Sequence, residues 1–505
     1  PLVDVAACCH SFLCGHLAQY FDFYNVEGPA IQIRQISQTQ WAIALLLVCL
    51  ITFVVVVTES WWVMAIPAVL AVVYWAMVSL ETLLLFTVAL TPLSITLKNV
   101  GFNVGLSLPA ELLLAGITLL ILVRWLHAGS LPWKAIRHPI GVVLLLQVAW
   151  MFVTSLTSEM PLVSFKALIR HIWFVIPLYF FLVKVFASPR LRQAFFPLYA
   201  YPLALAAIYT LVVHAGYGFS KETSTWVSFP FYKEHTVYGM ALAFVLPYAM
   251  MQAWQKVPMK PLLRMLAMSL FAVLLLAIVL SYTRAAWLSV IGAAVFGFML
   301  RLGIQWKQMV SVLLLSIGML WLTQSMWMSV FTKNDTVSSE NFTEHVQSVS
   351  NISTDASNME RINRWRAAIS MFQDRPLVGW GPGTYQFQYA PFQHASDLTV
   401  ISTNGGDMGN AHSEYIGPLA EQGWPGLLLI LVLVWTVFSQ GSKTYHQLAA
   451  GKDKRLLMVA LMGLATYFIH GFLNNFLDVD EGAVLVFGSC AMLVSISQTA
   501  KKLAE

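Results

Sequence analysis

The sequence predicts an all-α, polytopic integral membrane protein. Three observations lead there. Hydrophobic residues make up 58% of the 505 residues and charged ones only 10%; the mean hydropathy is +0.70; and apolar stretches of membrane-crossing length recur along the chain. Soluble domains carry about 25% charged residues, so most of this surface meets something other than water. Aromatic residues reach 13%, including 18 Trp, as expected where rings anchor at a lipid–water boundary. The formal net charge of +5 calls for no nucleic-acid partner. Lys and Arg in short cytoplasmic loops give the same excess.

A membrane helix needs about 20 mostly apolar residues. Candidate spans cover 41–57, 61–79, 82–97, 107–126, 139–156, 163–186, 193–214, 235–253, 262–280, 285–302, 308–325, 415–438, 455–475 and 482–498. The early ones are short and carry Pro67 and Pro92, so one pair could form a tilted or re-entrant hairpin. About 12–14 crossings follow. The organisation is then a cytoplasmic or interfacial segment at 1–40, a transmembrane bundle at 41–325, a long external loop at 326–412 and C-terminal transmembrane helices at 413–505. No basic stretch followed by an apolar run and a cleavage site opens the sequence. Cys8, Cys9, His10, Cys14 and His16 crowd the first segment, but their spacing fits no common zinc pattern.

Orientation comes from charge. Lys and Arg concentrate at Arg124–Arg137, Lys184–Arg192, Lys256–Arg264, Arg301–Lys307, Lys443–Arg455 and Lys501–Lys502. From the fourth span onward these fall in alternate loops. The loops between them are neutral or acidic, with Glu159, the stretch 216–234, and Asp478, Asp480 and Glu481. The positive-inside rule places the basic loops, and with them both termini, in the cytoplasm.

The long loop is external by this count. Its Ser-, Thr- and Asn-rich part, 333–358, reads as flexible, and the sequons at Asn334, Asn341 and Asn351 are the triplets such a composition produces by chance. From Met359 to Asp374, Ile362, Trp365, Ile369 and Phe372 recur at helical spacing with Arg361 and Arg364 on the polar side. That is an amphipathic helix suited to the membrane surface. Pro376 stops it, and Gly379-Trp-Gly381-Pro-Gly383 forms a tight turn. No strand precedes this glycine cluster, as a nucleotide loop would require.

Ionisable residues at membrane depth are costly and mark function. Those not explained as cytoplasmic markers are Arg170 and His171 in the sixth span, His235 opening the eighth, Arg284 in the turn after the ninth, Arg361 and Arg364, and His412 at the start of the twelfth. Topology puts all of them at the external end. Arginines there run against the positive-inside bias, and an anionic ligand such as a diphosphate would explain them, because guanidinium groups bind phosphate oxygens through parallel charge-assisted hydrogen bonds. For Arg364 and Arg366 the plainer account is preferred: headgroup anchoring or an acidic neighbour.

At a helix N-terminus the dipole would keep His412 neutral, and a neutral imidazole can accept a hydroxyl proton. Glu414 is a second candidate base, and Glu421 sits deep in its span. His470, Asn474, Asn475, Asp478 and Asp480 gather after the thirteenth span. They read as a solvated loop in preference to a cation site.

Four pieces resemble the O-antigen ligase and polymerase superfamily of bacterial membrane glycosyltransferases. They are Ser281-Tyr-Thr-Arg284-Ala-Ala-Trp287; Arg361 with Trp365 and Ala368 running to Pro376-Leu-Val-Gly379-Trp-Gly381; His412-Ser-Glu-Tyr415; and Glu421-Gln-Gly423-Trp-Pro-Gly426. The resemblance is specific from about His235 to Gln440. It implies a GT-C-like helical fold in a bacterial inner membrane, with the long loop and the active site facing the periplasm. It also implies a glycan donor carried on undecaprenyl diphosphate and, for a ligase, a lipid A–core acceptor. Arg284 and Arg361 match the family's diphosphate-contacting arginines, Arg170 an additional one more loosely, and His412 the catalytic histidine. His235, Glu414 and Tyr415 are supporting candidates. Where the family often has Asn after the His, this chain has Ser413.

The mechanism so implied is attack of an acceptor hydroxyl on the anomeric carbon, with departure of polyprenyl diphosphate and inversion. A diphosphate leaves readily, arginines stabilise its growing charge, and one such donor is worth about 3–4 kcal/mol. No metal or other cofactor is expected. A secondary transporter is the alternative of a different class, but transporters place polar groups at the midplane. Here they cluster at one face.

The topology is directly testable. A reporter fused after Ala450 should read cytoplasmic and one inserted near Ser350 external; both on one side would undo the convergence of the candidate residues.

Overall fold

The computed structural model describes residues 65–97, 106–129, 131–255, 260–323, 356–398, 402 and 409–504. The 1–40 segment with its Cys and His cluster, the 41–57 span and the three sequons lie outside the described residues. The chain divides into two compact units, Pro1–Trp75 and Ala76–Glu505. In the first, the described residues open helix α1 (Ala65–Val78).

In the second unit, apolar segments form helices because in hydrocarbon every backbone polar group must be satisfied within the segment. They are α2 (Leu80–Leu90), α3 (Ala110–Ala128), α4 (Pro139–Leu156), α5 (Pro161–Val175), α6 (Pro189–Ala215), α7 (His235–Trp254), α8 (Pro261–Leu280), α9 (Arg284–Arg301), α10 (Trp306–Leu322), α11 (Ala356–Asp374), α12 (Ile416–Gln447), α13 (Lys452–His470) and α14 (Asp480–Ala504). Four of them, α4, α5, α6 and α8, begin on Pro, which is tolerated in the first turn because that N–H has no helical partner. Nine helical stretches among the described residues are long and apolar enough to cross a membrane. The protein is a multi-pass, all-α membrane protein.

One expected span is corrected. The 82–97 stretch is not one helix: α2 ends at Leu90, a single 3₁₀ turn carries Pro92, and Ile95–Leu97 pairs antiparallel with Leu106–Leu108. Pro92 supplies no N–H to the helical ladder. The short strands set Ile95 opposite Leu108.

Helices α7 and α14 are the most deeply buried of the spans. Close packing there uses small residues, as is usual between membrane helices. A Cβ at Gly463 of α13 would meet the Phe244 ring of α7 at 2.4 Å.

Hydrogen bonds sort the helix ends into two groups. At one, Arg192 of α6 is almost fully buried, pairs both oxygens of Asp453 at 2.8 and 2.7 Å, and donates to the Phe186 carbonyl and Ser495 Oγ. Gln498 donates to the Lys134 carbonyl at the same end. At the other, Arg375 pairs Glu159, Ser158 donates to the Trp380 carbonyl, Thr283 to the His235 carbonyl and Arg361 to the Leu473 carbonyl. The basic loops and the candidate residues therefore occupy opposite ends, as the charge pattern predicts.

Candidate functional site

The site is built from four segments: the α8–α9 turn, helix α11, the 409–415 segment before α12, and the 470–477 segment after α13. Helix α11 brings two of them together. Arg361 Nε donates to the Leu473 carbonyl at 3.3 Å, and Arg364 Nη1 to the Asn410 carbonyl at 3.2 Å. The inward face of α11 is Asn363, Arg364, Ala367, Ala368 and Met371, while Ile369 is 42% exposed. The face buried against the protein is therefore mixed, with Asn363 and Arg364 beside small apolar residues, while Ile369 and Arg366 lie outward.

Arg364 is only 6% exposed. Its Nε pairs Glu360 at 2.7 Å and its guanidinium lies 5.0 Å from the Tyr389 ring centre. Arg366 pairs Asp397. Both meet acids, as the plainer account holds, but Arg364 is also the floor of the 409–412 segment: a Cβ at Gly409 would lie 1.6 Å from its Nη1.

His412 follows in the left-handed region, at φ 47°, with its N–H on Asn410 Oδ1. Helix α12 begins only at Ile416, and Ser413 Oγ accepts from the N–H groups of Tyr415 and Ile416. Ser413 is therefore committed to the helix entry. The Asn474 side chain lies beside the imidazole. Burial, then the charges of Arg361 and Arg364, lower the His412 pKa to about 4. The ring is neutral at physiological pH, as the sequence argues, but for a different reason than the helix dipole.

Glu414 is no exposed base. It is 6% exposed, and its Oε1 accepts from Tyr467 Oη and from the N–H groups of Phe476 and Leu477. Its own N–H donates to the Gly471 carbonyl at 2.8 Å. It clamps the 470–477 segment onto the 412–415 segment. Burial, with Asp478 nearby, raises its pKa to about 7. Tyr415 Oη donates to the Phe468 carbonyl at 2.9 Å, which makes it a second strut.

Arg284 stands in the first turn of α9. Tyr282 before it takes φ 50°, and Thr283 Oγ1 donates to the His235 carbonyl at 3.2 Å. A Cβ at Gly239 would lie 2.9 Å from the Thr283 side chain, so the turn sits directly on the start of α7. A cation in a helix's first turn opposes the dipole, which there favours an anion. The Arg361 charge reaches His235, His412 and His470. Arg170 has a different partner, Glu111, at 3.4 Å.

The glycine turn serves docking. Gly379, Gly381 and Gly383 have positive φ, and so does Gly423, at a break inside α12. The N–H groups of Trp380, Gly381 and Trp424 bond the Ala420, Glu421 and Pro376 carbonyls. A Cβ at Gly423 would sit 2.3 Å from the Leu377 carbonyl oxygen. Glu421 accepts from the Tyr385 N–H at 3.0 Å.

Residues 269–431 match the family model described as O-antigen ligase. Over this stretch, which contains Arg284, Arg361 and His412, the chain is similar to that family. No curated protein matches the chain. His235, His470 and Asn474 lie outside the matched residues and come to them through α7 and α13. The 470–480 stretch is not the solvated loop its composition suggests. His470, Asn474 and Asp480 are 1%, 3% and 2% exposed. A His closing a long apolar run was the signal for it.

The clamp makes a test with a worked sign. Glu414 has its pKa raised from 4.5 to about 7, so its stabilising contribution is full below 4.5 and is lost as pH rises through 7. Glu414→Gln should therefore gain in melting temperature relative to the native protein between those values. Glu414→Ala strands three donors at about 1–3 kcal/mol each and should be unstable at every pH. A Gln variant as unstable as the Ala variant would refute the clamp.

Proposed function

We propose that this chain is an O-antigen ligase. It transfers an oligo- or polysaccharide from undecaprenyl diphosphate to a lipid A–core acceptor at the periplasmic face of a bacterial inner membrane. The reaction is metal-independent and inverts the anomeric centre. The observation that carries this reading is the convergence, within the matched domain, of Arg361 and a neutral buried His412 at the end of the bundle opposite the basic loops. The Thr283–His235 bond brings the Arg284 turn to the same end.

In this reading Arg284 and Arg361 hold the diphosphate and take up its charge as it leaves. His412 accepts the proton of the attacking hydroxyl. Arg170 is the additional arginine of this reading, and it also pairs with Glu111 at 3.4 Å. His235 and Tyr415 support the site through the backbone, and Glu414 by its clamp.

Purified protein should transfer glycan from lipid-linked donor to lipid A–core. Transfer to a second lipid-linked chain would make it a polymerase instead, and transfer to a pilin a protein glycosyltransferase. Arg284→Ala and Arg361→Ala should each abolish transfer, with Lys recovering little because a point charge lacks the bidentate fork. Near-native turnover in either would assign that arginine to structure.

For His412 the check is kcat/KM against pH, which reports the free enzyme. Protonation below the His pKa removes the lone pair, so the native profile should be flat from pH 8 to 5 and fall through about 4. His412→Gln should lose about 10²–10⁴-fold while still binding donor. Substantial activity in His412→Gln with the acid limb intact would remove the base assignment.

A further inference from the structure

Several buried polar atoms next to the proposed diphosphate site have no hydrogen-bond partner among the described residues. They are both ring nitrogens of His470, Asn474 Nδ2 and Trp365 Nε1. Leaving such groups unpaired costs about 1–3 kcal/mol each, and unpaired polar groups in a folded protein call for a ligand or water to complete them.

Their placement is tied to Arg361. The Leu473 carbonyl that accepts from Arg361 lies between His470 and Asn474 in sequence, and the Leu473 N–H donates to the His470 carbonyl at 2.9 Å. Trp365 is one turn along α11 from Arg361, and its ring packs on Phe472 with centroids 5.7 Å apart. Phe476, held by Glu414, packs on the His470 ring at 4.9 Å. The set is uncharged apart from its neighbour Arg361. One neutral imidazole presents a donor and an acceptor, and an amide NH₂ and an indole N–H present donors.

We propose that His470, Asn474 and Trp365 form the subsite for the donor's first sugar, the one bonded to the diphosphate. The inference rests on the donor assignment above. A pyranose offers hydroxyl pairs, each donor and acceptor at once, which is what a neutral His and an amide can complete. A sugar bonded to a phosphate at Arg361 is held within a residue or two of both. A second phosphate would find no charge at these positions, and an acyl chain would leave the polar atoms unpaired.

The test compares binding of two probes to the full-length protein in detergent: undecaprenyl diphosphate, and the lipid-linked oligosaccharide extracted from the cells that make this protein. The native protein should bind the sugar-bearing lipid at least tenfold more tightly. His470→Ala and the gentler Asn474→Ser should each erase most of that difference while leaving undecaprenyl diphosphate binding and melting temperature near native. Equal weakening of both probes, or an unchanged preference in Asn474→Ser, would overturn the subsite. Failure of the native protein to bind either lipid would instead overturn the donor assignment itself.

Discussion

A carboxylate removed from water must be protonated or fully hydrogen-bonded, and Glu414 meets that demand by drawing in three donors from α13 and the segment after it. Everything at this end of the bundle hangs on that arrangement. The 470–477 segment is bound to the 412–415 segment, so the Leu473 carbonyl that receives Arg361 and the Asn474 that meets His412 have fixed positions. The segment before α12 and the segment after α13 are thereby joined, although the family match ends at residue 431.

Electrostatics follow from that geometry. Two arginines of α11 turn inward, one compensated by Glu360 and one tied to a backbone carbonyl. A third begins α9, where the helix dipole is also positive. The charges of Arg361 and Arg364 act on His412 at this end. Such a field keeps an imidazole neutral and favours a polyanion. Those two effects suit the proposed transfer, in which a hydroxyl loses its proton as it attacks and a diphosphate departs.

The opposite end is built for a different purpose. Arg192 and Asp453 form a buried pair bridging α6 and α13, and breaking such a pair leaves an uncompensated charge. It fixes α6 against α13 and, through Ser495, against α14. The buried Arg192–Asp453 pair lies at the basic end, and the positive-φ Tyr282 and His412 lie at the other. A strained site carried on a rigid bundle is how enzymes hold reactive geometry.

The sequence by itself determined that the chain is a multi-pass helical bundle and where most of its long helices run, 82–97 excepted. These are properties of hydropathy and charge along the chain, and a bilayer reads them locally. It located α11 to within a few residues. Only the tertiary structure decided what those properties leave open: that α11 turns its arginines inward, that Glu414 is a clamp, and that Arg170 answers Glu111. The same holds for burial of His470 and Asn474, which composition assigns to solvent. The reason is physical. A buried polar group is defined by its partner, and Glu414 and Leu477, or Arg361 and Leu473, are neighbours only once the helices have packed.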